Sequence, residues 1–180
     1  ASLLGTHGTE DAVMAFLRQR TENLLAAGSI PAGVRRGVLA AAGEDFLAAR
    51  EKATAFLEFL GQPGNAEILV PFSRVANILA QAASRGEKPA ALRTDLLTEE
   101  AERDLYRRVE AETPRLRNLH AEGRYAEFLS GLRAWKEPID RFFDDVLVMC
   151  PDQDLRANRL ALLSAVNDVF LLFADFSQIT

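Results

Sequence analysis

The chain has 180 residues, of which 48% are hydrophobic and 26% charged, with a net charge of −5. That is the balance of an ordinary folded domain with room for one continuous core. No apolar run approaches the ~18 residues of a bilayer-crossing helix, and Ala1 to Gly8 lacks the basic-then-apolar pattern of a signal peptide. The one cysteine, Cys150, excludes an intramolecular disulfide and fits a reducing cytoplasm, where the chain is expected to reside. Residues 1–9 read as a leader or a leftover, and 10–180 as one domain.

Ala and Leu supply 55 residues against 15 of Val and Ile, which favours helix over strand. Val13, Phe16, Leu17, Leu24 and Leu25 predict a first helix from Glu10 to Ala27, closed by Gly28. Pro31 opens a short second helix through Val34, Val38 and Leu39, ending near Gly43. Phe46, Leu47, Ala53, Phe56, Leu57 and Leu60 mark a third over Glu44 to Leu60, and the Gly61-Gln-Pro-Gly64 break follows. A fourth spans Ala66 to Ser84, with Pro71 in its first turns or bending it. The least helical stretch runs from Arg85 to Leu97.

Thr98 is the expected N-cap of the next helix, with Glu99 and Glu100 against its positive end. That helix carries Leu105, Val109, Leu116 and Leu119 and stops at Gly123. Arg124 to Lys136 forms another, and Pro138 starts or kinks a segment over Ile139 to Val148. Asp152 caps a long apolar helix from Gln153 to about Phe176. The expectation is an all-α bundle of seven or eight helices.

Site chemistry is sparse. The histidines are His7, in the leader, and His120, expected on the surface at a helix end, and no Cys/His cluster has metal-ligand spacing. Neither a P-loop nor a G-x-G-x-x-G occurs. His120 lacks a nucleophile motif to serve, and Cys150 beside Pro151 reads as a small apolar filler. No cofactor, no metal and no catalysis by this chain alone are expected.

Three stretches stand out: Arg74-Val-Ala-Asn-Ile-Leu79; Pro138-Ile-Asp-Arg-Phe-Phe-Asp-Asp-Val-Leu-Val-Met149; and Asp154-Leu-Arg-Ala-Asn-Arg-Leu-Ala-Leu-Leu163, followed by Ala174-Asp-Phe-Ser177. Together they resemble the end of the beta subunit of the bacterial tetrameric glycyl-tRNA synthetases, a family with the patterns RVANIL, P-V/I-D-x-FFD, LRxNRLALL and ADxS in this order. Leu96-Leu-Thr-Glu99, Glu102 and Leu105-Tyr106 also match that family. The resemblance extends from about Glu10 to the C-terminus and is most specific after Pro138. It implies a DALR-type anticodon-binding fold, shared in outline with arginyl-tRNA synthetase. It also implies binding of glycine tRNA, assembly with an alpha subunit and the rest of a beta subunit in a heterotetramer, and an ATP-dependent ligase site elsewhere, mostly on the alpha subunit. Membrane and DNA are not expected partners. The family places Lys before the first arginine of RVANIL, where Ser73 stands here, so one phosphate contact is lost or taken over.

The expected RNA-binding residues are Arg74, Asn77, Asp140, Phe143, Asp144, Arg156, Asn158 and Arg159. Arg74 and Asn77 share a helix face and suit RNA, or else a carboxylate and a loop carbonyl. Asp140, Asp144 and Asp145 follow Pro138, where a helix dipole would favour them. Alternatively they accept from cytosine amino groups, of which every glycine anticodon offers two. Of Phe142 and Phe143, one belongs to the core and the other is placed to stack on a base. Arg156 and Arg159 share a face beside Asn158, and Asp152 is a candidate partner for Arg156. The other overall reading is a helical structural domain that mediates assembly without touching RNA.

Overall fold

The computed structural model describes residues 6–43 and 45–179, the first five of these by backbone alone. Among them are eight α-helices: α1 (Thr6–Ala27), α2 (Ala32–Ala42), α3 (Phe46–Leu60), α4 (Leu69–Ser84), α5 (Glu100–Ala121), α6 (Tyr125–Arg133), α7 (Lys136–Asp145) and α8 (Gln153–Leu171). Short 3-10 turns at Asn65–Ile68, Thr94–Leu96 and Phe176–Gln178 complete the described structure, which has no strand. The α1 helix begins inside the segment read as a leader, and the His7 backbone is helical. None of the described helices is long and apolar enough to cross a membrane.

Local signals set most of the boundaries. Asp45 and Asp152 cap α3 and α8, accepting from Ala48 N–H at 2.9 Å and Leu155 N–H at 3.0 Å. Gly64, with φ +78°, supplies the left-handed residue that turns the chain into the 3-10 segment before α4. Glu99, not Thr98, is the N-cap of α5, and its N–H donates to Glu102 Oε2 at 2.8 Å. Pro71 and Pro138 each sit third in their helices, where the missing N–H would have no helical partner. The start of α7 therefore moves back to Lys136, and the helix ends at Asp145. Beyond it, Val146 is extended.

The bundle closes around aromatic rings. Phe72 of α4 stacks on Phe170 of α8 at 4.1 Å, and Phe128 of α6 stacks on Phe173 at 5.7 Å. α8 packs between α4 and α5, while α7 leans on both α5 and α4. α1 to α3 attach through α3 against α6 and through α2 against the C-terminal turn. The chain leaves helix at Leu171, short of the expected Phe176, because Phe173 and Phe176 fold back into the core. Asp175 makes that reversal, accepting from both the N–H (3.0 Å) and hydroxyl (2.6 Å) of Ser177. Its own N–H donates to Gly37 O at 2.9 Å. A Cβ on Gly37 would lie 2.7 Å from Asp175 O, so only glycine permits this approach. The Ala174-Asp-Phe-Ser177 stretch is therefore a structural latch.

Candidate nucleic-acid interface

Helices α4 and α7 lie side by side and in step. At one end Glu67, in the turn leading into α4, is 3.9 Å from Lys136, the first residue of α7. Seven residues further along each, the Arg74 guanidinium carbon is 4.2 Å from the Phe143 ring centroid. Seven residues are two helical turns, about 10.5 Å, so the two helices run in the same direction with matched faces. Val70, Arg74 and Asn77 form an exposed stripe on α4. Opposite them α7 offers Lys136, Asp140, Phe143 and Asp144. Arg133 joins the Lys136 end, its Nη2 3.8 Å from where a Gly64 Cβ would be.

This face is balanced in charge, not a basic groove: Arg74, Arg133 and Lys136 against Glu67, Asp140 and Asp144. Lys136 donates to Asp140 Oδ2 at 2.9 Å, a bond that raises the lysine pKa. Arg74 has no hydrogen-bond or ion-pair partner among the described residues, and neither have Asn77 and Asp144. Ser73 does not replace the missing lysine, since its hydroxyl donates to Leu69 O at 2.7 Å within α4.

The three acids differ from their expected setting. Asp140 lies in the middle of α7, while Asp144 and Asp145 occupy its last two positions. There the helix carbonyls make the potential negative, so the dipole disfavours these carboxylates. Arg141 eases the strain at Asp145, 3.6 Å away, and reaches Asp104 of α5 at 2.8 Å. Asp144 is exposed without such help. The Phe pair also differs: Phe142 is fully buried and Phe143 only 8% exposed, set edge to face at 5.5 Å. Phe143 is not a free stacking ring, because Arg74 covers it.

The α8 residues expected to meet RNA turn inward. Asn158 accepts from Arg93 N–H at 2.7 Å and donates to Arg93 O at 3.0 Å, pinning the irregular stretch before α5. Arg159 is 6% exposed and donates to Glu102 Oε1 at 2.6 Å, Leu147 O at 3.0 Å and Thr98 Oγ1 at 3.4 Å. Burial opposes its charge, but the Glu102 bond and charge prevail and raise its pKa. Arg156 pairs with Glu87 at 3.0 Å, not with Asp152, and donates to Cys150 O at 2.8 Å. These three side chains hold the loops around the N-terminus of α8; Asn158 and Arg159 are buried, and Arg156 is partly exposed with its guanidinium engaged by Glu87 and Cys150.

Sequence reasoning missed Val70, Arg133 and Lys136. The sequence pattern puts Lys136 at the end of the preceding helix, but α7 starts at Lys136 and so carries it on the same face as Asp140 and Phe143. His120 also differs from expectation. It is half-buried between Tyr125 and Phe128, and burial pushes its pKa down. Lys52 lies beside it, buried, donating to Leu172 O at 2.6 Å beyond the end of α8.

The sequence pattern of the DALR anticodon binding domain matches residues 68–173, which takes in α4 to α8 and both sides of the face. A glycine–tRNA ligase beta subunit from Moorella thermoacetica is 38% identical over 175 residues, 94% of this chain and 24% of that protein. One from Syntrophotalea carbinolica is 34% identical, over 93% of this chain and 24% of its own length. One from Shewanella amazonensis is 46% identical over 58% of this chain and 15% of its own. The chain thus spans about a quarter of the length of the longer-matching relatives.

Proposed function

The chain belongs to the DALR anticodon binding domain family, and from that premise we propose that the α4–α7 face holds the anticodon loop of a glycine tRNA. The chain then serves as the non-catalytic RNA-recognition module of a cytoplasmic, ATP-dependent glycine–tRNA ligase assembled from alpha and beta subunits. The observation that carries this is Asp144: an exposed carboxylate at the wrong end of a helix, one residue from a ring covered by an unpaired arginine. The helix dipole disfavours a carboxylate there by about 0.3–1 kcal/mol, so the helix itself gives no reason for its presence. An acceptor for a cytosine amino group needs that charge and that freedom. Among the three acids it is the best candidate, since Asp140 is bonded to Lys136 and Asp145 lies by Arg141.

The charge balance of the face implies recognition through bases, with few phosphate contacts and a shallow salt dependence. The test is the affinity of the chain for glycine tRNA and for the same tRNA with its two anticodon cytosines replaced. Asp144→Asn should shrink the preference by about 1–3 kcal/mol. A rise in affinity for both RNAs with an unchanged ratio rejects base reading.

A docking role alongside RNA binding has its own support. Val13, Phe16, Leu17 and Leu24 of α1 and Leu47 of α3 are exposed apolar residues, and Leu24 and Leu47 line a cleft between these helices. Such a patch suits contact with the remainder of a beta subunit.

A further inference from the structure

We propose that Arg74 reads an anticodon nucleotide by stacking, with Phe143 as the floor beneath it, and is not a phosphate contact. This rests on the anticodon-binding role proposed above and specifies how its central side chain works. A guanidinium is planar and weakly hydrated, and it carries its N–H groups along its edges. A phosphate is bound by those edges, whereas an unpaired base is bound by the flat face. In this fold the Arg74 guanidinium carbon sits over the Phe143 ring, 4.2 Å from its centroid, a separation at which a planar cation can lie flat on the ring. The opposite face of the guanidinium is then left to a ligand, in a residue that is exposed as a whole.

The floor is fixed from below. Phe143 is 8% exposed and set edge to face against the fully buried Phe142. Val75 and Ala76, the two residues after Arg74, are buried in the same packing. Competing partners for the guanidinium are absent or engaged. Asp140 is bonded to Lys136, and no carboxylate among the described residues lies within ion-pair distance of Arg74.

The neighbours suit a base better than a phosphate. Val70, one turn before Arg74, is 73% exposed and extends the platform with an apolar surface. Asn77, one turn after it, adds a free amide with both donor and acceptor. Apolar surface, planar cation and amide in one row match the face and edge of a nucleobase, while a phosphate would prefer clustered cations without Val70.

The experiment uses glycine tRNA in which each anticodon nucleotide is made abasic in turn, with binding measured by fluorescence anisotropy for the wild-type chain and for Arg74→Lys. The lysine keeps the charge and loses the plane. Stacking of one base predicts that a single abasic position weakens wild-type binding by about 5- to 150-fold. Arg74→Lys should bind the intact tRNA weaker by a similar factor and show no further loss at that position. Phe143→Leu, which keeps an apolar side chain over the core, should also lose part of the abasic sensitivity. Wild-type affinity in Arg74→Lys, or abasic sensitivity that survives the substitution, overturns stacking while leaving the anticodon-binding role intact. Equal affinity of the wild-type chain for glycine tRNA and an unrelated tRNA overturns both.

Discussion

Arg74 and Arg159 belong to two of the stretches with the firmest sequence signatures, and each is followed closely by buried apolar residues. Arg159 ends in a pocket formed by Glu102, Thr98 and the Leu147 carbonyl, with its charge matched inside the protein. Arg74, itself exposed, ends on the buried Phe143 ring with no acid to match it. The α8 end of the domain uses polar residues to join distant segments, whereas the α4–α7 face leaves polar residues unsatisfied. A motif thus marks a residue as constrained without saying whether the constraint is internal or external. Burial and partners separate the two.

The contrast can be broken most forcefully at Arg159. Arg159→Ala would strand Glu102, whose side chain is fully buried, and a buried charge without its partner costs about 3–5 kcal/mol. A large drop in the thermal midpoint is expected, with any loss of tRNA binding following from unfolding. Replacing Arg159 and Glu102 together by Met should recover much of that stability. If Arg159→Ala melts like wild type and binds tRNA poorly with a flatter salt slope, Arg159 is a phosphate contact and the comparison collapses.

A smaller loss is expected at Asn158. Its amide bonds both backbone groups of Arg93, and Asn158→Ala leaves them without that partner at a cost of about 1–3 kcal/mol. The effect should be local. Hydrogen exchange at the Arg93 amide should accelerate more than exchange in α4 or α6, and the relative affinities for tRNAs differing in the anticodon should not change. A change in anticodon preference would move Asn158 from the internal to the external side.

Asp152 capping α8 was legible because a cap bonds three residues away along the chain. The helices themselves were legible from spacing, as were the breaks at Gly64 and Gly123. The partner of Arg159 lies 57 residues away, and no local pattern shows which acid will meet it. Phe142 and Phe143 were expected to divide between core and surface because adjacent helical residues diverge, yet α4 brings Arg74 over the second ring. The acids after Pro138 were placed at the favourable end of α7 because proline so often starts a helix. The true start two residues earlier, with the end at Asp145, puts two of them at the unfavourable end.

That reversal yields the smallest expected effect, distinctive for its sign. Asp144 stands in the last turn of α7, which has no basic residue, and no described group pairs with it. Removing its charge relieves a repulsion with the helix dipole that amounts to about 0.3–1 kcal/mol at an exposed site. Asp144→Asn should therefore raise the thermal midpoint slightly, by a few degrees at most for a domain of this size, and the gain should shrink as salt screens the dipole. Asp145→Asn is the control. Its charge already has Arg141 at 3.6 Å, so the relief is offset by a lost attraction and the midpoint should barely move. The same Asp144→Asn variant is expected to lose preference for anticodon cytosines. Gain in one measurement and loss in the other, from one atom exchange, is the mark of a residue kept for what it binds. A variant that is less stable than wild type would show that Asp144 has an internal partner, and would place it with Arg159.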